Sequence, residues 1–228
     1  MSSRYTVIIP AFNATRTLAD AIASLRGQTV PPARVLLVDD GSTDGTGDHA
    51  RELGIDVIRQ DNRGPGAACN LALQTVDTPI TAYLDADDLW LPKKAAWQLA
   101  SLDEATDVDA VFGHLRIFFH GRPVDPAART QEGWGRTTMM IRTDCARRIG
   151  PIYDPLEGGR GDMIDWIARG REMGLRFQMS PSVVALRRVI AGSMSYGRDE
   201  RDVGYLEIAR RALTRRRAAL AASTGSGS

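Results

Sequence analysis

Short apolar runs recur through the first hundred positions, each followed by a polar turn and a segment with helical spacing. "YTVII" (5–9) reads as a buried strand. After it Leu18, Ala21, Ile22 and Leu25 repeat at helical spacing, up to the break at Pro31 and Pro32. "VLLV" (35–38) predicts a second strand, then a Gly/Ser/Thr/Asp turn and a short helix through Leu53. "DVIR" (56–59) predicts a third strand. "GPGAACNLALQTV" (64–76) opens on glycines and continues as a helix, and "PITAYL" (79–84) is a fourth strand. Strands alternating with helices predict βαβ crossovers and a mostly parallel sheet. Ligands of such sheets bind beyond the carboxyl ends of the strands. That places Pro10–Asn13, Asp39–Asp44, Asp61–Gly66 and Asp85–Asp88 on one rim.

From residue 93 the pattern changes. Lys93–Glu104 reads as a helix with Pro92 at its start, and "AVFGHLRIFF" (110–119) as a strand or hairpin. Residues 120–135 form a Gly/Pro/Arg loop. "TTMMIR" (137–142) is a strand, and Thr143 can cap a helix that ends before Gly150. "GDMIDWIARGREMG" (161–174) is another helix, with Ile164, Ile167 and Ala168 on one face and Gly174 as its stop. "FQM" and "VVALRR" are two short strands. Asp202–Ala222 predicts an amphipathic basic helix, with seven Arg against four acids between Arg198 and Arg217, and "STGSGS" a flexible tail. The expected organisation is one α/β domain whose pattern changes after residue 104, continuing through 105–200, with 201–228 as the basic helix and tail.

Composition narrows the classes. Of 228 residues, 43% are hydrophobic and 25% charged, as in an ordinary globular protein. Lys and Arg number 29 against 28 Asp and Glu, a net charge of +1 that gives no electrostatic case for nucleic acid or an anionic membrane as partner. Cys69 and Cys145 stand in no metal-ligand pattern and read as two buried thiols. The N-terminus lacks the long apolar core of a signal peptide, and no stretch approaches the ~20 apolar residues that cross a bilayer. A soluble, cytoplasmic protein is the expectation; self-association into a homodimer is left open.

The candidate chemistry starts at "YLDADDLWLPKK" (83–94), which sets Asp85, Asp87 and Asp88 directly behind an apolar strand. A carboxylate pair at i and i+2 in a loop offers oxygens to one hard divalent ion, Mg²⁺ or Mn²⁺, whose other ligands are waters and substrate phosphates. A solvated acidic turn in which Asp87 or Asp88 caps the next helix would use the same residues.

"VIIPAFN", "VLLVDDGSTDGT", "DNRGPGAACNLAL" and "ITAYLDADDLWLPKK" follow one another in an order and spacing that resemble the family-2 glycosyltransferases. The resemblance is strong over residues 5–100 and weaker through "TTMMIRTDCARRIG" and "GDMIDWIARGREMG". It implies a GT-A fold, a single Rossmann-like domain with 1–104 as the nucleotide-sugar-binding half and 105–200 as the acceptor-binding half. It also implies an inverting, metal-dependent transfer from a nucleotide-sugar, UDP-linked by default, to a soluble small-molecule, glycan or peptide acceptor. By resemblance, Pro10, Ala11 and Phe12 line the nucleoside pocket, and Asp40, assisted by Asp39, meets the base. Arg63 and Asn70 approach the donor, Asp85 faces the ribose or sugar, and Asp87 holds the metal.

Plainer roles are open for several of these: Phe12 as core, Asp39 or Asp40 as a cap on the 41–45 turn, Asn70 satisfied on its own helix. Relatives place a base in an "ED" pair ahead of a Trp-containing helix. "RGDMIDW" (160–166) offers Asp162 in one register and Asp165 in another, and an ordinary N-cap would suit the same helix start. Many relatives also carry a histidine in an "RR-x-H" segment, where this chain has Ile190; His49, His114 and His120 read as surface or core residues. Two other readings share the features: a nucleotidyltransferase, and a catalytically impaired sugar-nucleotide-binding protein.

Overall fold

The computed structural model describes residues 4–153, 161–190, 210–215 and 217. The described residues build one nine-stranded sheet, in the order β3-β2-β1-β4-β8-β6-β9-β5 with β7 paired to β6. β1 (Tyr5–Ala11), β2 (Arg34–Asp40), β3 (Asp56–Gln60) and β4 (Ile80–Tyr83) are parallel, as the βαβ pattern requires. Antiparallel pairings enter with β8 (Met140–Arg142), β5 (Leu89–Trp90) and β7 (Thr130–Gly133), while β6 (Ala110–Phe119) and β9 (Phe177–Val189) run parallel to each other. The sheet is therefore mostly parallel with some antiparallel strands.

β1 is buried along its whole length because the sheet is covered on both faces. Successive side chains alternate between them. Tyr5, Val7 and Ile9 join Leu18, Ile22 and Leu25 of α1 (Thr15–Arg26) and Leu99 and Leu102 of α4 (Lys94–Glu104) on one side. Ile8, Leu36 and Val38 face Ala68 and Ala72 of α3 (Pro65–Leu73), Ala146 and Ile149 of α5 (Thr143–Ile149), and Trp166 of α6 (Asp162–Glu172) on the other. Each large side chain buried this way contributes about 1.5–3 kcal/mol. α2 (Thr46–Glu52) closes the β2–β3 crossover. Both cysteines are buried on the α3/α5 side and form no disulfide.

Four local expectations are corrected. "FQM" and "VVALRR" form one strand, β9, because the chain through Ser180–Ser182 stays paired to β6 across a register shift between Gly113 and Leu115. Thr137 and Thr138 lie in a 3₁₀ turn (Arg136–Thr138), so only the end of "TTMMIR" is strand. Thr143 does not cap α5; its hydroxyl donates to the Thr78 carbonyl at 2.7 Å and pairs with Thr81. The inward face of α6 carries Met163, Trp166, Ile167 and Gly170, whereas Ile164 is 40% exposed.

The 120–135 loop contains β7. The 191–200 loop lies outside the described residues, as does most of the expected C-terminal helix. Residues 210–215 of it are helical and are called α7. Among the described residues no helix is long and apolar enough to cross a membrane.

Candidate active site

Strand direction gathers the site on one rim. β4 ends at Tyr83 and the chain turns through Asp85–Asp88 before reversing into β5. β9 runs the same way as β4, so its last residues arrive beside that turn. β8 runs against β4, which sets the preceding 3₁₀ turn on the same rim.

The acidic turn is held from two sides. Arg188, 5% exposed near the end of β9, donates its backbone N–H to Asp88 Oδ1 (2.9 Å) and its Nε to the Asp87 carbonyl (2.8 Å). Its Nη2 reaches Asp20 at 2.8 Å, and its Nη1 lies 3.1 Å from His120 Nδ1. From the other side the Thr137 hydroxyl lies 2.9 Å from Asp88 Oδ2 and 3.2 Å from Asp85 Oδ2. The 3₁₀ turn is itself fixed, by Trp90 Nε1 on the Thr137 carbonyl (2.8 Å) and Gln98 Nε2 on the Thr138 carbonyl (2.7 Å). Asp88 is thus a buried support of the turn; α4 begins after Lys93 with no side-chain cap, which removes a helix-start role from Asp87 and Asp88.

Electrostatics separate the three acids. Burial, with Asp87 and Asp85 adding repulsion, pushes the Asp88 carboxyl well above the usual range. Burial and the Asp85 charge push Asp87 up to about 6. No side-chain donor among the described residues hydrogen-bonds the Asp87 carboxylate, and the nearby Arg187 and Arg188 charges offset burial and Asp85 only in part. Asp85 is better placed: Arg136 Nε approaches its Oδ1 at 3.3 Å.

Arg136 is the residue that sequence reading missed. Its side chain is 11% exposed, and its Nη1 also donates to Asp162 Oδ2. One guanidinium therefore bridges the acidic turn and the first residue of α6. Burial opposes the charge on Arg136, but Asp85 and Asp162 outweigh it and hold the guanidinium protonated. Asp162 is 7% exposed, and its Oδ1 accepts from no described residue. Gly161 adopts φ 98°, which starts α6 without a side-chain cap, so Asp162 is not the ordinary N-cap.

Asp165 differs. Arg169 Nε (3.0 Å) and Arg215 Nη1 (2.7 Å) take one oxygen each, and the side chain is 3% exposed.

The nucleoside-side candidates are laced together. Asp39 accepts from the Ser42 N–H (2.9 Å) and from Arg59, which matches the plainer turn-capping role. Asp40 accepts from Gln60, Arg63 N–H (2.8 Å) and Gly64 N–H (2.9 Å), so it shapes the loop after β3. Asn13 and Ser42 join the loops after β1 and β2. Pro10 and Ala11 are buried in β1, whereas Phe12 is 50% exposed at its end and is not core. The Arg63 side chain is exposed.

Asn70 is not an open amide: its two ends bond the Ile152 carbonyl and N–H, each at 2.8 Å. Asn70→Ala is accordingly expected to cost about 2–3 kcal/mol, a Tm fall of roughly 5–10 °C. A fall under 2 °C in thermal unfolding would show the tie to be dispensable.

Neither Arg136 nor Thr137 carries a pattern that points to the rim, since their order in the chain gives no hint of β8 pairing against β4. Arg188 was legible only as part of a strand. Ile190 follows β9 directly, and His120 joins the same corner through its N–H on the Val189 carbonyl (2.9 Å). Among the described residues no cluster of three or more His, Cys, Asp or Glu could hold a metal by itself.

Comparison with known proteins agrees with this architecture. The sequence profile of glycosyl transferase family 2 matches residues 6–153. The putative teichuronic acid biosynthesis glycosyltransferase TuaG of Bacillus subtilis is 29% identical over 179 residues, 71% of this chain and 70% of that protein. The crystal structure of S. aureus TarS 1-349 in complex with UDP-GlcNAc superposes with a TM-score of 0.67 at 20% identity, covering 86% of this chain and 62% of that one. The mannosyltransferase PcManGT of Pyrobaculum calidifontis, solved with GDP-Man and Mn²⁺, superposes with a TM-score of 0.63 at 22% identity, covering 81% and 56%. The chain spans from 21% to 70% of the length of the curated relatives it matches. With the profile covering well over half of the chain and the fold shared with these structures, the protein belongs to glycosyl transferase family 2 and has the GT-A fold.

Proposed function

We propose that this chain is the catalytic domain of an inverting glycosyltransferase that takes a UDP-sugar as donor and a soluble small molecule, glycan or peptide as acceptor. The observation that carries the reading is the Arg136 bridge, which sets Asp162 across from the Asp85–Asp88 turn. Phe12 and Arg63 face the nucleoside from loops that Asp39 and Asp40 hold in place, with Pro10 and Ala11 beneath. Asp85 faces the ribose or sugar. The UDP choice draws support from the UDP-GlcNAc complex of TarS, and the GDP-Man complex of PcManGT makes GDP-sugar the competing donor.

The chemistry is a single displacement. The acceptor oxygen forms a bond to the anomeric carbon as that carbon's bond to the diphosphate breaks. The leaving electron pair goes to the diphosphate, and the acceptor's proton passes to Asp162 Oδ1. Arg136 orients Asp162 for that task through its hydrogen bond to Oδ2, leaving Oδ1 for the proton. Asp165 is spoken for by two arginines, so Asp162 is the base.

The donor set suits Mn²⁺ or Mg²⁺, because hard carboxylate oxygens and an Asp87 carboxylate whose charge is only partly offset are what such a cation prefers. Asp87 would hold it, and bound there it would offset the charge that develops on the leaving diphosphate. With one principal protein ligand, the remaining positions fall to diphosphate and water.

A thermal-shift screen of UDP, GDP, CDP and ADP with and without Mn²⁺ tests the donor and the metal. UDP with Mn²⁺ is expected to give the largest rise, and a larger rise with another nucleotide overturns the UDP assignment. Asp87→Asn is expected to raise Tm by a few degrees without metal, since removing a buried charge beside Asp85 and Asp88 relieves about 1–3 kcal/mol of repulsion and desolvation. The same variant should lose the Mn²⁺-dependent part of the shift. An unchanged Mn²⁺ response would take Asp87 out of the metal role.

A further inference from the structure

Asp165, in the first turn of α6, is 2% exposed and has its two oxygens taken by different elements. Oδ2 accepts from Arg169, one turn along the same helix, and Oδ1 from Arg215 on α7. The Arg215 guanidinium also forks onto Glu172, with Nε on Oε2 at 2.8 Å and Nη2 on Oε1 at 3.3 Å. Asp165 and Glu172 are seven residues apart, so a single side chain spans about 10 Å of helix axis. A planar, five-donor guanidinium meets both carboxylates at once, whereas an ammonium would hold one of them and give a partial clamp.

A second arginine repeats the contact. Arg211, one turn earlier on α7, lies 5.7 Å from the Tyr153 ring, which Arg169 also approaches at 4.9 Å. Arg169 in turn donates to the carbonyls of Ile149 (2.6 Å) and Pro151. α7 therefore grips α6 and the segment after α5 together.

The inner face of α6 is fixed by packing: a Cβ on Gly170 would come within 2.4 Å of the Phe177 ring. Its contact with α7 is fixed by the Arg215 bonds to Asp165 and Glu172. Asp162 meets Arg136 only if the first turn keeps its height and rotation.

We propose that Arg215 is a positioning residue for the transfer reaction, clamping α6 from α7 across Asp165 and Glu172 and thereby setting where Asp162 stands opposite Arg136 and Asp85. The inference rests on Asp162 as the base. α7 lies beyond residues 6–153, so the clamp is supplied from outside the matched family segment. Exposed ion pairs contribute little because solvent screens them. Here Asp165 is buried, and without Arg215 its carboxylate would keep Arg169 as its one cationic partner among the described residues.

The test compares wild type, Arg215→Ala and Arg215→Lys in the full chain. UDP affinity with Mn²⁺ is measured by calorimetry, UDP release from UDP-GlcNAc by steady-state kinetics, and exchange of the α6 amides by hydrogen–deuterium mass spectrometry. Arg215→Ala is expected to leave UDP affinity and KM within twofold and to lower kcat at least fivefold. It should also speed α6 exchange about tenfold relative to β1 and β4, and Arg215→Lys should recover part of kcat. A kcat within twofold of wild type, a loss that tracks KM, or a lysine variant no better than alanine overturns the proposal. If wild type releases no UDP, the donor reading fails separately. The clamp then stands or falls on exchange alone, where unchanged α6 amides refute it.

Discussion

Asp162→Asn is expected to leave UDP affinity within about threefold of wild type while cutting sugar transfer by about 10²–10⁴-fold, the usual worth of a positioned general base. The amide is nearly isosteric and can still accept from Arg136, so the bridge to Asp85 survives and α6 stays in place. What disappears is the basic lone pair on Oδ1, the oxygen that accepts from no described residue. UDP release from UDP-GlcNAc with Mn²⁺ is the measurement. Retention of more than a tenth of the wild-type rate would move the base elsewhere. Asp165→Asn supplies the contrast: its oxygens already serve Arg169 and Arg215, so its main expected effect is on stability.

The second large effect is expected from Arg136→Met. The variant keeps the length and apolar stem of the side chain but leaves Asp85 and Asp162 without their shared cation. Removing one partner of a buried ion pair costs about 3–5 kcal/mol, because the remaining charge is desolvated and uncompensated. A Tm fall of roughly 10 °C or more follows for a chain of this size, together with loss of UDP release. In the double variant with Asp162→Asn, one of the stranded charges is gone, so the destabilisation should be smaller than the sum of the two single effects. Additive effects in denaturant unfolding would show that Arg136 and Asp162 do not act as a pair. Arg136→Lys should recover part of the stability without the activity, since a single ammonium does not reproduce a fork between two carboxylates.

The parallel half of the fold was legible because each of its strands is a short apolar run and each crossover helix is local. "YTVII", "VLLV", "DVIR" and "PITAYL" became β1 to β4 with only end shifts. The rim followed from strand direction alone, and with it the Asp85–Asp88 turn. The half beyond residue 104 was less legible. "FQM" and "VVALRR" were separated by Ser180, Pro181 and Ser182, which interrupt the apolar pattern, yet backbone pairing to β6 carries the strand through them. On α6 the apolar positions alone suggested Ile164, but the true inner face includes the buried acids Asp162 and Asp165, which pair with Arg136 and Arg215 from other elements and with Arg169 one turn along.

The sequence by itself determined the α/β class, the gathering of four polar loops on one rim, and the family, and it singled out the acidic turn as a candidate place for a cation. These depend on local periodicity and on motifs whose members are close in the chain. Only the tertiary structure decided that Arg136 joins Asp85 to Asp162, that Arg188 locks Asp87 and Asp88, and that Arg215 holds Asp165. Each of these contacts joins groups 26 to 101 residues apart in the chain. Apolar spacing records which face of an element is buried. It does not record which distant cation makes the burial of a carboxylate tolerable, because that is settled only when strand order brings the two together.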